Sequence, residues 1–368
     1  MNKMNLRTIL MTAVVLLWAA LTAAAWFAPA RDISEAERRP LNQAPDFSVK
    51  TLLDGSFMTD FEKFSLDQFP LRDAFRTVKS LFHFGILNQS DNNDIYIADG
   101  YAVKQEYPLD AGSVQHAADR FNRVYDKYLK DSGSKIFLAI VPDKGQYLAD
   151  ASAHLTLSLE KMSSMLMDAM PWAAPVELYG TLGYEDYYRT DTHWRQEKLF
   201  GAATAICNAL GVTAPNPNDY TPIALDRPFY GVYYGQAALP MAPETMYILE
   251  SDLLTECRVY DYESGQYTGI YNMDKVDGRD LYEVFLSGPR SLLTIENPRV
   301  NTERELIIFR DSFGSAIAPL LLQSYAKVTL VDIRYIQIDI LERFLEFNGQ
   351  DVLLLYSTSV LNNSQTIK

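Results

Sequence analysis

Apolar residues recur along this chain with four spacings, and each predicts a different kind of element. Residues 8–28 are uncharged and apolar almost throughout. A helix of about 20 residues is roughly 30 Å long, enough to cross a bilayer. A spacing of three to four residues marks helices over 59–84, 111–130, 157–170 and 196–210. Pro70, in Gln68-Phe69-Pro70-Leu71-Arg72, interrupts the first of these and is expected to bend the chain. Gly211 ends the last as a C-cap. The third spacing is the short unbroken apolar run. Residues 135–141, 176–178, 306–309, 328–331 and 351–356 read as buried strands, with further helices over 316–322 and 335–347. Residues 94–101 alternate and end in a turn, which predicts a hairpin.

Fully apolar strands alternating with helices imply an α/β fold, a mostly parallel sheet covered on both faces. Residues 212–300 break that rhythm. They are rich in Tyr, Gly, Asp and Pro, with short β-like pieces such as Gly231-Val232-Tyr233-Tyr234-Gly235, and predict an inserted β-rich lobe. The expected organisation is a membrane segment over 1–30, an irregular to helical extension over 31–100, and an α/β domain over 101–368.

Lys3 and Arg7 precede the apolar run, so the N-terminus is expected in the cytoplasm and the rest outside it. The run reads either as an uncleaved single-pass anchor or as a secretory signal, since Ala28-Pro29-Ala30 resembles a cleavage site. Its length and the central Pro29 favour the anchor.

The 368 residues, 48% hydrophobic and 22% charged, are enough for a sizeable core. A formal net charge of −14 argues against a nucleic-acid partner, because phosphate binding needs clustered Lys and Arg. The 23 tyrosines fit either sugar contact or core and strand packing. The two cysteines, Cys207 and Cys257, allow no metal-type spacing. One disulfide between them stays open, although Cys207 lies in an apolar helical run that suits a buried free thiol.

Two polar stretches carry the candidate chemistry: Asp191-Thr192-His193-Trp194 and Arg310-Asp311-Ser312-Phe313-Gly314. Ser312 follows a predicted buried strand and precedes a predicted helix, a place that exposes the hydroxyl and leaves backbone N–H groups free. A serine hydroxyl needs a base beside it, and the base needs an orienting acid. His193, with Asp191 two residues before it, supplies both. The plainer alternative makes Asp311 or Ser312 a helix N-cap, and Asp191 likewise. His83, His116 and His154 have no matching acid-x-His arrangement. The N–H of Ser312 or Phe313 is a candidate oxyanion donor, and Gly288 a candidate second, or else a simple turn glycine. Lys144 ends the first long strand, where ligands bind in parallel sheets, and either contacts substrate or pairs with Asp143. Arg310 is a further candidate for substrate contact.

With these residues in place, the chain resembles the DHHW and AlgX/AlgJ-like proteins of the SGNH hydrolase superfamily. The likeness rests on Glu37-Arg38-Arg39-Pro40, Asp67-Gln68-Phe69-Pro70-Leu71-Arg72-Asp73, Pro142-Asp143-Lys144, the two stretches above, Val331-Asp332-Ile333-Arg334-Tyr335 and Asp351-Val352-Leu353-Leu354-Leu355-Tyr356. It implies a circularly permuted SGNH-like fold with Asp191, His193 and Ser312 as its triad. It also implies O-acetyl transfer to, or removal from, a cell-surface polysaccharide outside the cytoplasm. A membrane-bound O-acyltransferase would supply the acetyl groups, and no cofactor or metal is implied. Thr192 stands where many family members have a first histidine, and Ser287-Gly288-Pro289 lacks the second glycine and asparagine expected nearby. A different class remains beside this one: a non-catalytic glycan-binding or assembly component of an exopolysaccharide secretion complex.

Overall fold

The computed structural model describes residues 5–368. The chain divides into two compact units, one holding the chain up to Asn93 together with Tyr234–Pro240, the other Asp94–Tyr233 with Met241–Lys368.

The first unit opens with α1 (Leu6–Phe27), which buries none of its side chains and is long and apolar enough to cross a membrane. Two short strands, β1 (Ile33–Ser34) and β2 (Arg39–Pro40), pair antiparallel. Three helices follow: α2 (Val49–Leu53), α3 (Ser56–Asp67) and α4 (Arg72–Gly85). The break between α3 and α4 contains Pro70, as the sequence predicts, and Leu71 enters α4 from the left-handed region at φ 56°. Ion pairs hold the unit together. Arg72 and Arg76 reach Glu37 at 2.6 and 3.2 Å, and Arg39 donates to both oxygens of Asp67 at 2.9 and 2.7 Å.

The second unit begins with the predicted hairpin, β3 (Ile95–Ala98) and β4 (Tyr101–Lys104). There follow α5 (Ala111–Val124), β5 (Ile136–Val141), α6 (Gly145–Leu148), α7 (Leu159–Ala169), β6 (Ala174–Val176) and α8 (Phe200–Leu210). Gly211 caps α8 at φ 67°, the left-handed conformation that glycine adopts without strain. Then come β7 (Thr221–Phe229), α9 (Val232–Ala237), β8 (Glu244–Glu250), α10 (Asp252–Glu256), β9 (Arg258–Asp261), β10 (Gln266–Thr268) and β11 (Leu292–Glu296). The chain ends with β12 (Glu305–Arg310), α11 (Gly314–Leu321), β13 (Lys327–Val331), β14 (Asp351–Ser357) and α12 (Thr358–Asn362).

Eight strands form the central sheet in the order β10-β9-β11-β13-β12-β14-β5-β6. From β13 to β6 all neighbours run parallel, in register from Ile308 opposite Leu330 to Leu353 opposite Phe137. The apolar runs of β5, β12 and β14 lie there because both faces are covered. Leu306, Ile308 and Leu353 pack on one face, and Ile307, Phe309 and Leu354 on the other. Cys207 and Cys257 are both buried free thiols, and burial pushes their thiols up to about 12 and about 11.

Three expectations need correction. Residues 212–300 are not one lobe: β7 and β8 pair by themselves, whereas β9, β10 and β11 extend the central sheet as its antiparallel edge. Gly231-Val232-Tyr233-Tyr234-Gly235 is no strand but leads into helix α9. Its first N–H groups bond to Thr190 and Asp191, so none is left for a ladder. The helix expected over 335–347 shrinks to a 3₁₀ segment, Ile338–Arg343. Ile336, Ile338 and Ile340 are β-branched and weak helix formers, and burying Ile336 and Ile338 is achieved without regular turns.

Candidate active site

Ser312 stands two residues beyond β12, at the carboxyl edge of the parallel strands, where α/β sheets place their ligands. The turn that carries it is pinned by Asp311. That buried carboxylate accepts from the Phe313 N–H at 3.0 Å on one oxygen. On the other it accepts from the Ser357 N–H and hydroxyl at 2.8 and 2.7 Å. Asp311 therefore ties the end of β12 to the end of β14. Gly314 opens α11 directly behind: a Cβ there would lie 2.7 Å from the Cβ of Arg310.

His193 comes from the loop after the short 3₁₀ turn Tyr184–Asp186. Tyr187 and Trp194 face each other in an antiparallel bridge, and the Tyr188 N–H donates to the His193 carbonyl at 3.0 Å, so the loop closes on itself. Buried Trp194 donates from its indole to the Phe313 carbonyl at 3.2 Å, and Gln196 donates to the Ala316 carbonyl at 2.9 Å. These two bonds dock the histidine loop onto the serine turn, although 119 residues separate His193 from Ser312.

The result is one continuous chain of short hydrogen bonds. Asp191 Oδ1 lies 2.6 Å from His193 Nδ1, and His193 Nε2 lies 2.7 Å from Ser312 Oγ. Asp191 is buried and also accepts from its neighbours' main chain, at 3.0 Å from the His193 N–H on Oδ1 and 2.8 Å from the Val232 N–H on Oδ2. With Nδ1–H donated to that carboxylate, Nε2 is the acceptor facing the serine. Such an array can move a proton from Oγ to Nε2 as Oγ attacks a carbonyl carbon. His193 and Ser312 are the partly exposed members, on which a substrate would arrive.

The other candidates sit differently. Lys144 is fully buried and reaches no substrate surface. Its ammonium donates to the carbonyls of Tyr188, Arg189 and Asp191 at 2.7, 3.4 and 2.6 Å, with the rings of Tyr233 and Tyr101 centred 5.1 and 5.8 Å away. Burial lowers the group to about 8, against the pull of Asp143, Asp191 and Glu244. Arg310 is buried behind the serine turn, donating to the carbonyls of Asp311 and Arg290 at 3.3 and 3.4 Å. The Phe313 N–H is spent on Asp311, and the Gly288 N–H on the Phe285 carbonyl at 3.1 Å. The Ser312 N–H has no hydrogen-bond partner among the described residues. No hydrogen bond joins Gly288 to Ser312 or His193 among those residues. It closes a run of three left-handed positions, Leu286, Ser287 and Gly288 at φ 53°, 64° and 77°. No group of three or more His, Cys, Asp or Glu side chains among the described residues could hold a metal ion.

Two features have no signature in the sequence. Tyr282, buried, stacks on the His193 ring at 3.8 Å and 12°. Gly231 lets the 231–233 segment approach the acid, because a Cβ there would lie 2.2 Å from the Thr190 carbonyl oxygen and 2.4 Å from the Asp191 Cβ. An apolar-polar pattern reports neither a ring stacked across the fold nor a backbone N–H aimed at a carboxylate.

Residues 180–331 match the family model described as DHHW protein. No curated protein is detectably similar to the chain in sequence. Among solved structures, a DHHW family protein from Eubacterium siraeum is 22% identical with a TM-score of 0.60, over 75% of this chain and 95% of that one. Bacillus cereus PatB1, in a structure with a sulfonyl adduct, is 19% identical with a TM-score of 0.57, over 73% and 94%. At these identities the likeness establishes the fold alone: a mostly parallel sheet flanked by helices, the architecture the apolar runs predicted. The DHHW signature thus lies in residues 180–331, the stretch that carries both Asp191-Thr192-His193-Trp194 and Ser312, on a fold shared with DHHW-family and PatB1 structures.

Proposed function

We propose that this chain is a serine O-acyltransferase or esterase that handles acetyl groups on a cell-surface polysaccharide outside the cytoplasm. Ser312 is the nucleophile, His193 the general base and Asp191 the residue that orients it. The observation that carries this is the unbroken pair of bonds at 2.6 and 2.7 Å through one imidazole. Ser312 Oγ attacks the acetyl carbonyl while its proton passes to His193 Nε2. The leaving oxygen then takes that proton, and the acetyl group stays on Ser312. A sugar hydroxyl or water attacks next, losing its proton to Nε2, and Ser312 recovers it. The family setting favours the sugar, with a membrane-bound O-acyltransferase as the source of acetyl groups. The Ser312 N–H is available for the developing oxyanion. α1 serves as an uncleaved anchor that keeps the folded part outside. Full-length protein should then stay with membranes through a high-salt wash, and an N-terminus found at Arg31 would overturn that point alone.

The test of the chemistry is turnover of a chromogenic acetyl ester by the detergent-solubilised full chain. Ser312→Ala is expected to abolish it, and equal turnover by that variant would remove Ser312 as nucleophile. A second reading, a glycan-binding or assembly component without catalysis, is favoured by the occupied N–H groups of Phe313 and Gly288. Labelling by a fluorophosphonate separates the two: an adduct on Ser312 supports catalysis, and none, together with polysaccharide binding, supports the second reading.

A further inference from the structure

In the first unit, α4 is amphipathic in the reverse of the ordinary sense. Its polar residues face the rest of its own unit. Arg72 and Arg76 pair with Glu37, Arg76 donates to the Gly235 carbonyl at 2.9 Å, and fully buried Ser80 donates to the Ala237 carbonyl at 2.7 Å. Its apolar residues face outward, with Val78 63% and Phe82 46% exposed. The neighbouring helices behave alike: Leu53 is 82% and Leu66 65% exposed. Ring contacts tie them together: Phe47 meets Phe57 edge-on at 5.3 Å between ring centres, Phe57 stacks on Phe61 at 5.9 Å, and Phe69 meets Phe75 of α4 edge-on at 5.6 Å.

A helix in water turns its apolar stripe inward, because burying each large apolar side chain gains about 1.5–3 kcal/mol. The second unit obeys that rule throughout its two clusters. An outward apolar face on several helices marks a surface that meets something apolar. We infer that α2, α3 and α4 lie in the membrane interface, their apolar side among the lipid acyl chains. Three observations select lipid over other occupants. The outward residues begin at Phe47, only 20 positions after α1 ends at Phe27, so this stretch is tethered close to any bilayer that α1 crosses. They spread over three helices, where a docked partner helix would need one seam. Residues 47–87 hold five basic and five acidic side chains, so the stretch is neutral in a chain of net charge −14. It meets headgroups without the repulsion the rest of the protein would feel, and binds by apolar insertion.

The test uses the full chain with Val78→Cys or Leu53→Cys carrying an environment-sensitive fluorophore, in phosphatidylcholine vesicles with or without spin-labelled acyl chains. The native Cys207 and Cys257 are buried and should not take the dye. The expected result is blue-shifted emission and at least twofold quenching by the spin-labelled lipid at both positions. A dye at Tyr335→Cys in the second unit should be unquenched. Both substitutions replace exposed residues, so the fold is not at stake. Emission like the Tyr335→Cys control at both positions overturns the inference. So does a blue shift without lipid quenching, which would assign the face to a protein partner or a second copy. Neither outcome bears on Ser312.

Discussion

On the proposed reading, single side chains around His193 do separable jobs, and substitutions of equal size tell them apart. Asp191→Asn keeps the shape and can still accept from the Val232 N–H, but its amide can stabilise the wrong imidazole tautomer. Turnover of an acetyl ester should fall on the order of 10⁴-fold with the melting temperature little changed. A variant retaining more than a tenth of the activity would return Asp191 to the role of a turn cap, where Asn serves as well as Asp. Lys144 acts one step further back. As an ammonium it offers three N–H donors to three carbonyls, and as an amine only two. Burial sets the change at about 8, so the rate of fluorophosphonate labelling should decline above that pH. Stability should not decline with it. From about 8 to the ordinary lysine range the unfolded chain binds this proton more tightly than the folded one, so deprotonation favours folding. An alkaline limb that persists unchanged in Lys144→Met would show that another group sets it.

At the level of elements, the candidate site is a strand end met by a loop, which explains how much of it was legible in the sequence. A buried strand is an apolar run, and its end is a polar break. Asp191, His193 and Ser312 were therefore legible from local pattern: each sits in a short polar segment next to an element whose spacing is plain. Tyr282 and Val232 were not. They lie 89 and 41 residues from His193 and Asp191, and they act through a ring face and a main-chain N–H, which any residue type at those positions could have masked. The reversed faces of α3 and α4 show the same limit from the other side. Periodicity marked the helices correctly but is silent on which face meets the protein. Gly231 gives the prediction at this scale. Its absent Cβ lets the start of α9 reach Thr190 and Asp191, so Gly231→Ala must push the clamp away from the acid. Activity should drop by at least tenfold, with a loss of roughly 1–3 kcal/mol in stability, the usual cost of an overpacked site. Gly269→Ala is the control, since the nearest atom to a Cβ there is 3.7 Å away. Equal activity in both variants would remove the clamp from the mechanism.

Across the whole molecule, acidity and burial meet at Glu106, whose effect is global because it lies away from the Ser312 array. Burial, then the charge of Asp143, raises its carboxyl to about 7, and nearby Ser359 and the charge of Lys104 offset this only in part. The folded protein therefore holds this proton more tightly than the unfolded chain, in which a glutamate titrates near 4.3. As pH rises from there through about 7, the folded state must either keep a proton the solvent is withdrawing or bury a charge, and stability is lost. Asp143, also raised by burial, acts in the same direction. Asp67, held low by Arg39, acts oppositely and at lower pH, so the melting temperature of the wild type alone would mix the two. The difference between Glu106→Gln and wild type isolates the first. Glutamine keeps the volume and cannot ionise, so the variant should match wild type near pH 5 and exceed it increasingly up to pH 8. Ester turnover should change little at either pH, because Glu106 touches none of Asp191, His193 and Ser312. A constant offset between the two melting curves across that range would mean that Glu106 is already charged in the fold, balanced by Lys104 and Ser359.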